Sequence, residues 1–348
     1  MTTVNSLPAP RVPDPMDAPP LRWGIMGTGG IAAKFTHALK SFSRQDVLAV
    51  GSRTDANAQA FAGRFELSRA YGSYDALLAD PDVQAVYVAS PHSGHHELAS
   101  AALRAGKHVL VEKAFTQDAG QAADLVQTAR ANGLALMEAM WTRFLPRTDI
   151  VRQLLEDGAL GDLRVVIADH GQNLPHVPRL REPALAGGAL LDLAIYPVSF
   201  ACFALGLPTR IVGTGVLGPT GVDERVAISL DGFAEHPSAQ ASLHTTMAAK
   251  TPTTATICGT SARVELDGDF YAPGSVRVVT PEGEATTSAS PKIVGHQALV
   301  FEGAHFAQLV ADGRTESPWL PLDETLAIMR IMDELRAQVG TVYPGEKL

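Results

Sequence analysis

The sequence predicts an α/β chain of two domains, a doubly wound parallel sheet followed by an α+β domain whose sheet is mostly antiparallel. Three observations carry this. At about 150 residues per domain, 348 residues suggest two full-sized cores. From Leu21 short β-rich runs alternate with segments whose apolar residues recur at helical spacing. After about Phe144, strand-like runs follow one another with turn residues between them and almost no helix.

Taken in order, residues 1–20 hold six prolines and no apolar run, so a disordered tail is expected. The parallel domain is expected over residues 21–142, with strands at 22–26, 47–50, 85–89, 108–111 and 135–137. Between them Ile31, Phe35, Ala38 and Leu39 share one helical face, as do Ala58, Phe61, Ala62 and Phe65, and Ala122, Leu125, Val126 and Ala129. Gly106 and Gly133 stand where helices should end. Strand and helix alternating this way give a parallel sheet covered on both faces. The second domain is expected over residues 143–348. Its strands are read at 163–169, 209–216, 225–230, 239–246, 253–257, 262–266 and 275–280, and a last helix presents Ile328, Ile331, Met332 and Leu335 on one side.

Composition narrows the function classes. The net charge is −9, so no basic surplus exists to neutralise a phosphate backbone, and nucleic acid is a poor candidate partner. A mean hydropathy of +0.06 and the absence of about 18 uninterrupted apolar residues argue against a membrane span. Cys202 and Cys258 are too few for a disulfide framework or a cysteine-rich metal site, which fits a reducing, cytoplasmic setting.

Directly after the first strand, Gly27-Thr28-Gly29-Gly30-Ile31-Ala32 reads G-x-G-x-x-A and opens the first helix. In that context Gly27 permits a tight turn, Gly29 lets backbone amides approach a pyrophosphate, and Ala32 allows close helix–strand packing. An ordinary glycine turn is the plainer alternative. A Walker loop is excluded because no G-K-[ST] follows at the required spacing. The second strand ends in Gly51-Ser52-Arg53-Thr54, with no Asp or Glu where a ribose-binding carboxylate would stand. A hydroxyl and a guanidinium there favour a 2′-phosphate, hence NADP over NAD. The alternative is that Thr54 only caps the next helix and Arg53 points to solvent.

Two segments supply chemistry. Lys113 follows the strand 108–111 at the carboxyl edge where ligands bind in parallel sheets, although a solvated lysine cap is equally consistent. Gly187-Gly188 feeds an apolar helical run in which Asp192 and Tyr196, four residues apart, are polar and share a face. Buried, they either satisfy one another or line a cavity. Pro197 is expected to kink the helix just after Tyr196.

The chain resembles the glucose–fructose oxidoreductase / inositol dehydrogenase (Gfo/Idh/MocA) family from Leu21 to Pro344. The resemblance is carried by Ala105 through Lys113, Trp141-Thr142-Arg143-Phe144, His176-Val177-Pro178-Arg179 and Gly187 through Tyr196. It implies a Rossmann NAD(P)-binding domain and hydride transfer from a secondary hydroxyl of a cyclic polyol, aldose or trans-dihydrodiol, with NADP as cofactor and NAD possible. It implies that Lys113, Asp192 and Tyr196 are the catalytic residues. An ammonium beside Tyr196 would favour the phenolate of a group that otherwise titrates near pH ~10, so Tyr196 could take the substrate proton. Besides Gly27 to Ala32 and Ser52, Arg53 and Thr54, it assigns Ser90, Pro91, His92, His95, Glu112, Lys113, Trp141 and Arg143 to the cofactor. Trp141 would form an apolar wall at the domain junction, with a core tryptophan between the domains as the alternative. No metal site is expected from His92 and His95, which lack Cys or carboxylate ligands at useful spacing. The sequence departs from the family at Ala114, where proline is usual, and at Pro91-His92, where P-N is common. A homodimer or homotetramer built on an open face of the second sheet is also implied. The competing reading is a dinucleotide-binding sensor of the same fold without turnover.

Overall fold

The computed structural model describes residues 6–346. The chain divides into two units: Pro13–Phe144 with Gly295–Met329, and residues 6–12 with Leu145–Val294 and residues 330–346.

The first unit is built on β1 (Arg22–Met26), α1 (Gly30–Phe42), β2 (Asp46–Gly51), α2 (Asp55–Phe65), β3 (Arg69–Tyr71), α3 (Tyr74–Leu78), β4 (Ala85–Val88), α4 (His95–Arg104), β5 (His108–Glu112), α5 (Ala119–Asn132) and β6 (Leu136–Ala139). The six strands form one parallel sheet in the order β3-β2-β1-β4-β5-β6. Strand order reverses between β1 and β4, which places the ligand-binding crevice of such sheets at their carboxyl ends. The expected helical faces are those that bury: Phe35, Ala38 and Leu39 in α1, and Ala122, Leu125, Val126 and Ala129 in α5. Gly133 ends α5 at φ 63, the left-handed conformation a C-terminal glycine supplies. β3 is a strand the sequence pattern lacked. Its three half-buried residues make no apolar run, yet they pair with Ala49, Val50 and Gly51.

The second unit runs through α6 (Pro146–Glu156), β7 (Leu163–Gly171) and α7 (Ile195–Leu205) to β8 (Arg210–Leu217), β9 (Asp223–Asp231), β10 (Gln240–Thr246), β11 (Ala255–Gly259), β12 (Arg263–Leu266), β13 (Arg277–Val279) and β14 (Ala285–Thr287). These strands make an eight-stranded sheet in the order β14-β13-β12-β11-β7-β10-β9-β8, antiparallel except for β7 beside β10. Along β9 and β10, Val226, Ile228, Leu230, Ala241 and Leu243 face the core. The row Val212, Ser229, Ser242, Ile167 and Thr256 crosses the opposite face in register, with Ile167 52 % and Val212 47 % exposed. The stretch Pro183–Leu205 is long and apolar enough to cross a bilayer, but 94 % of its apolar window is buried inside the protein, as in a core helix.

The last helices divide differently from the expected boundary. α8 (Leu299–Ala311) belongs to the first unit, and the division passes through α9 (Leu322–Val339). The reason is packing. A Cβ at Gly303 would lie 2.6 Å from Leu39 Cδ2, so the missing side chain lets α8 close onto α1, and Phe306 meets Trp23 at 5.5 Å between ring centroids.

The expected disordered tail is corrected over its described part, residues 6–20; residues 1–5 lie outside the described residues. The Arg11 guanidinium binds Asp149 at 2.9 Å and Glu156 at 2.9 Å, and its backbone N–H donates to Asp149 at 2.6 Å. Further along, Asp14 caps a 3₁₀ turn over Pro15–Asp17, and Gln45 donates to the Pro19 carbonyl at 2.8 Å. Prolines restrict the free chain, so little backbone entropy opposes this ordering.

Candidate active site

The candidate residues fall into two groups, one in each unit. In the first unit the turn after β1 is shaped by glycine. Gly27 has φ 120, and a Cβ there would sit 2.8 Å from the Ala89 carbonyl oxygen, so no other residue fits. At Gly29 and Gly30 a Cβ would meet nothing within 4 Å, and no side chain caps the first turn of α1. Amides at a helix N-terminus facing open space suit a pyrophosphate, so these residues fit a dinucleotide. Thr28 and Ile31 flank this turn half-buried, and Ala32 is fully buried.

At the end of β2, Thr54 caps α2, its hydroxyl accepting from the Asn57 N–H at 3.4 Å. Ser52 is buried, with its N–H on the Tyr71 carbonyl at 3.0 Å, and Arg53 is exposed. The alternative role considered for Thr54 is thus realised, and Arg53 is the cation left outward. Beyond β4, Pro91 is exposed, Ser90 half-buried and His92 buried. His95 is buried between two loops, Nδ1 2.9 Å from the Ala114 carbonyl and Nε2 2.9 Å from that of Ser90. Both nitrogens face acceptors inside the fold, so His95 braces the loops after β4 and β5.

Lys113, half-buried, follows β5 and is joined to Ala114 by a cis peptide bond. Two carboxylates bracket it: Glu112 accepts the Lys113 backbone N–H at 3.2 Å and Glu138 accepts that of Phe115 at 3.2 Å. Tyr87 donates its hydroxyl to Glu112. Burial pushes Glu138 up to about 7, against the attraction of Arg143. Glu302, with both carboxyl oxygens buried and lacking a hydrogen-bond partner, is raised well above the usual range by burial and by Glu112 and Glu138. Arg143, assigned to the cofactor by resemblance, is buried and donates to Glu324 at 2.5 Å, an internal ion pair. Trp141 is buried within the first unit and stacks on His296 at 5.6 Å.

In the second unit the Gly187-Gly188 turn is tightly enclosed. A Cβ at Gly187 would lie 2.6 Å from the Leu180 carbonyl oxygen; at Gly188, whose φ is 117, it would lie 2.3 Å from an Asp223 oxygen. Buried Asp223 accepts the Leu190 N–H at 2.5 Å and caps the segment that follows, and burial pushes its carboxyl up to about 6. That segment is a π-helical turn, Leu190–Ala194, continued by α7. Turns of this kind are rare and concentrate at functional sites. Asp192 and Tyr196 are both buried here, but Asp192 is paired with Arg179 at 3.1 Å. α7 continues through Pro197 to Leu205, and the winding changes before Tyr196, in the π turn.

Sequence reasoning missed three residues around Tyr196. The His170 ring lies edge-on to Tyr196 at 5.2 Å, Tyr271 stacks on His170 at 4.4 Å, and Tyr271 tilts against Tyr196 at 4.8 Å. Gln172 donates to His170 Nε2 at 2.9 Å and to the Tyr271 hydroxyl at 3.3 Å. Burial pushes the Tyr271 phenol up to about 12, with Asp269 and Asp192 acting the same way. The sequence reading stopped β7 at Asp169, one residue short of His170. No group of three or more His, Cys, Asp or Glu suited to a metal occurs among the described residues.

Residues 21–140 match an oxidoreductase family with an NAD-binding Rossmann fold, and residues 149–265 match the GFO/IDH/MocA C-terminal domain. The chain is 36% identical over 334 residues to trans-1,2-dihydrobenzene-1,2-diol dehydrogenase of Macaca fascicularis, covering 94% of this chain and 99% of that one. The Homo sapiens enzyme of the same name is 36% identical over 335 residues, with the same coverage. A 3-ketoreductase from Actinomadura kijaniata, solved with NADP and TDP-benzene, superposes with TM-score 0.81 at 29% identity, covering 92% of this chain and 98% of that one. Levoglucosan dehydrogenase with NADH gives TM-score 0.84 at 19% identity over 92% and 97% of the two chains, a likeness of fold. The parallel sheet with its glycine turn, the open-faced second sheet and these full-length matches agree, and the chain belongs to the GFO/IDH/MocA family of oxidoreductases.

Proposed function

We propose that the protein oxidises a secondary hydroxyl of a ring-shaped polyol, whether a cyclitol, a pyranose or a trans-dihydrodiol, with NADP preferred to NAD. A nicotinamide dinucleotide, when bound, supplies the hydride acceptor. Tyr196, as the phenolate that the Lys113 ammonium favours, takes the hydroxyl proton, and Asp192, held by Arg179, orients the substrate. One observation carries the reading: a buried acid on a π turn and a buried phenol in the helix that continues it stand in a chain matched along its length to dehydrogenases of a cyclic diol. A pure sensor has no need of that pair. The test is a panel of aldoses, cyclitols and dihydrodiols with NADP and with NAD, followed by reduced-nicotinamide absorbance. No turnover with any ring polyol overturns the proposal.

Arg53, with no acidic residue at the end of β2, is the proposed 2′-phosphate contact. Arg53→Ala is expected to raise the KM for NADP roughly 10- to 100-fold, the value of one charge-assisted hydrogen bond, while leaving that for NAD nearly unchanged. Equal losses with both cofactors would remove Arg53 from that role.

The proposal extends to assembly. Ile167 at 52 %, Val212 at 47 % and Val216 at 43 % exposure leave an apolar sheet face that a second copy would cover. Ile167→Asp with Val212→Asp is expected to give a monomer by light scattering at a concentration where the unaltered chain is a dimer or tetramer. An unchanged mass would place the interface elsewhere. Cys202 and Cys258 are thiols rather than a disulfide, which accords with a reducing compartment.

A further inference from the structure

We propose that His170, with Gln172 and Tyr271, is a positioning residue that fixes the orientation of the Tyr196 phenol, and that it does so in a single tautomer set by the carbonyl of Leu193. The inference rests on the assignment of Tyr196 as proton acceptor.

It starts at the π turn before Tyr196, where the Leu193 carbonyl accepts the Ile195 N–H and also meets a side chain of β7. The Leu193 carbonyl lies 3.1 Å from His170 Nδ1. A carbonyl only accepts, so Nδ1 carries the proton. In the neutral ring Nε2 is then bare and accepts from the Gln172 side-chain amide at 2.9 Å. The same amide reaches the Tyr271 hydroxyl at 3.3 Å. One chain of hydrogen bonds thus runs from the π turn before Tyr196, through His170 and Gln172, to Tyr271. A half-satisfied network at this depth would cost more than an apolar core, and here both ring nitrogens of fully buried His170 are used.

The rings complete the device. Tyr196 is held between the edge of His170 at 5.2 Å and the tilted face of Tyr271 at 4.8 Å, which restricts its side-chain rotation. Tyr271 sits in the connection between β12 and β13, and that connection is itself anchored. Buried Arg147 donates to the Ala272 carbonyl at 2.7 Å and the Ser275 carbonyl at 3.3 Å. A Cβ at Gly274 would lie 2.5 Å from the Arg147 guanidinium, so the close approach needs glycine. A proton acceptor works only within a narrow geometry, and a displacement of about 1 Å can cost on the order of 100-fold in rate.

The test uses the full chain, NADP and trans-1,2-dihydrobenzene-1,2-diol as substrate probe. His170→Phe keeps a ring against both tyrosines and removes both hydrogen bonds. His170→Asn keeps a donor near the Nδ1 position and removes the ring. Expected for His170→Phe is a fall in kcat of roughly 10- to 100-fold with the KM for NADP unchanged. His170→Asn should recover part of that loss, because the donor to Leu193 is restored. Histidine-labelled protein should show by nitrogen NMR a His170 ring protonated at Nδ1 and bare at Nε2. A kcat within about twofold of the unaltered chain in His170→Phe, or the opposite tautomer, overturns the inference. Should His170→Phe not fold, Gln172→Met carries the same kinetic expectation, and an unchanged kcat there is equally fatal. Failure of the underlying assignment is distinguishable: if Tyr196→Phe turns over normally, that assignment fails whatever His170 does, whereas an inactive Tyr196→Phe beside a fully active His170→Phe sinks this inference alone.

Discussion

Lys113→Met and Tyr196→Phe are each expected to lower kcat by about 10²- to 10⁴-fold while NADP affinity, read by fluorescence quenching, stays within about threefold. Methionine keeps the length of the lysine stem at the half-buried position after β5 and removes only the charge. The brackets around that position are backbone hydrogen bonds, from Lys113 to Glu112 and from Phe115 to Glu138, and the substitution leaves both in place. Phenylalanine keeps the ring that His170 and Tyr271 enclose and deletes one hydroxyl. Neither change touches the open glycine turn at the start of α1. If ammonium and phenol serve one proton transfer, losing either already removes most of its benefit. The double variant should then be no slower than about the worse single one, since residues acting as a unit are grossly non-additive. Multiplied losses in the double variant would mean that the two groups serve separate steps. Near-normal turnover in either single variant would end the dehydrogenase mechanism as assigned.

The parts of the fold that were legible in the sequence are those whose signals are local. The turn after β1 announces itself because Gly27 through Ala32 form strand end, turn and helix start within one short stretch. The parallel sheet was legible because strands such as β4 and β5 are buried on both faces and read as apolar runs. β3 and β14, three residues each and without such a run, carry no comparable pattern. Helical periodicity says that α8 buries a face, but not against which sheet, and so its place in the first unit was missed. The same limit applies to the site. Asp192 and Tyr196 stood out as polar residues in an apolar helix, whereas the partner of a guanidinium is a tertiary fact: Arg179 turned out to hold Asp192, and Arg143 to face Glu324. His170 and Tyr271 are ordinary residues at a strand end and in a loop. They acquire meaning only from a distant segment, the Leu193 carbonyl and the Tyr196 ring.

Raising the pH from 5 to 8 is expected to cost the unaltered protein about 3 kcal/mol of unfolding free energy relative to Glu138→Gln. Glu138 is buried on β6, and burial lifts its carboxyl from the ordinary 4.5 to about 7. Below 4.5 both folded and unfolded chains hold the proton and the group is neutral in its effect. Between 4.5 and about 7 the unfolded chain releases a proton that the folded chain keeps, so unfolding gains with pH; above about 7 the full penalty is present. Glutamine has no charge to desolvate and keeps a carbonyl for the Phe115 N–H, so its stability should not carry this slope. Taking the difference between the two proteins removes groups common to both, among them His95, which burial pushes down to about 4 and which therefore favours folding in the opposite sense. Glu302 does not cancel entirely. Its elevation comes from burial and then from Glu112 and Glu138, so the variant relieves one of its neighbours and the difference reports the coupled carboxylates. Urea titrations of both proteins at pH 5 and 8 decide the matter: curves that stay parallel across the range would show that Glu138 ionises in the fold as it does in water, and that the carboxylates beside Lys113 are solvated rather than buried.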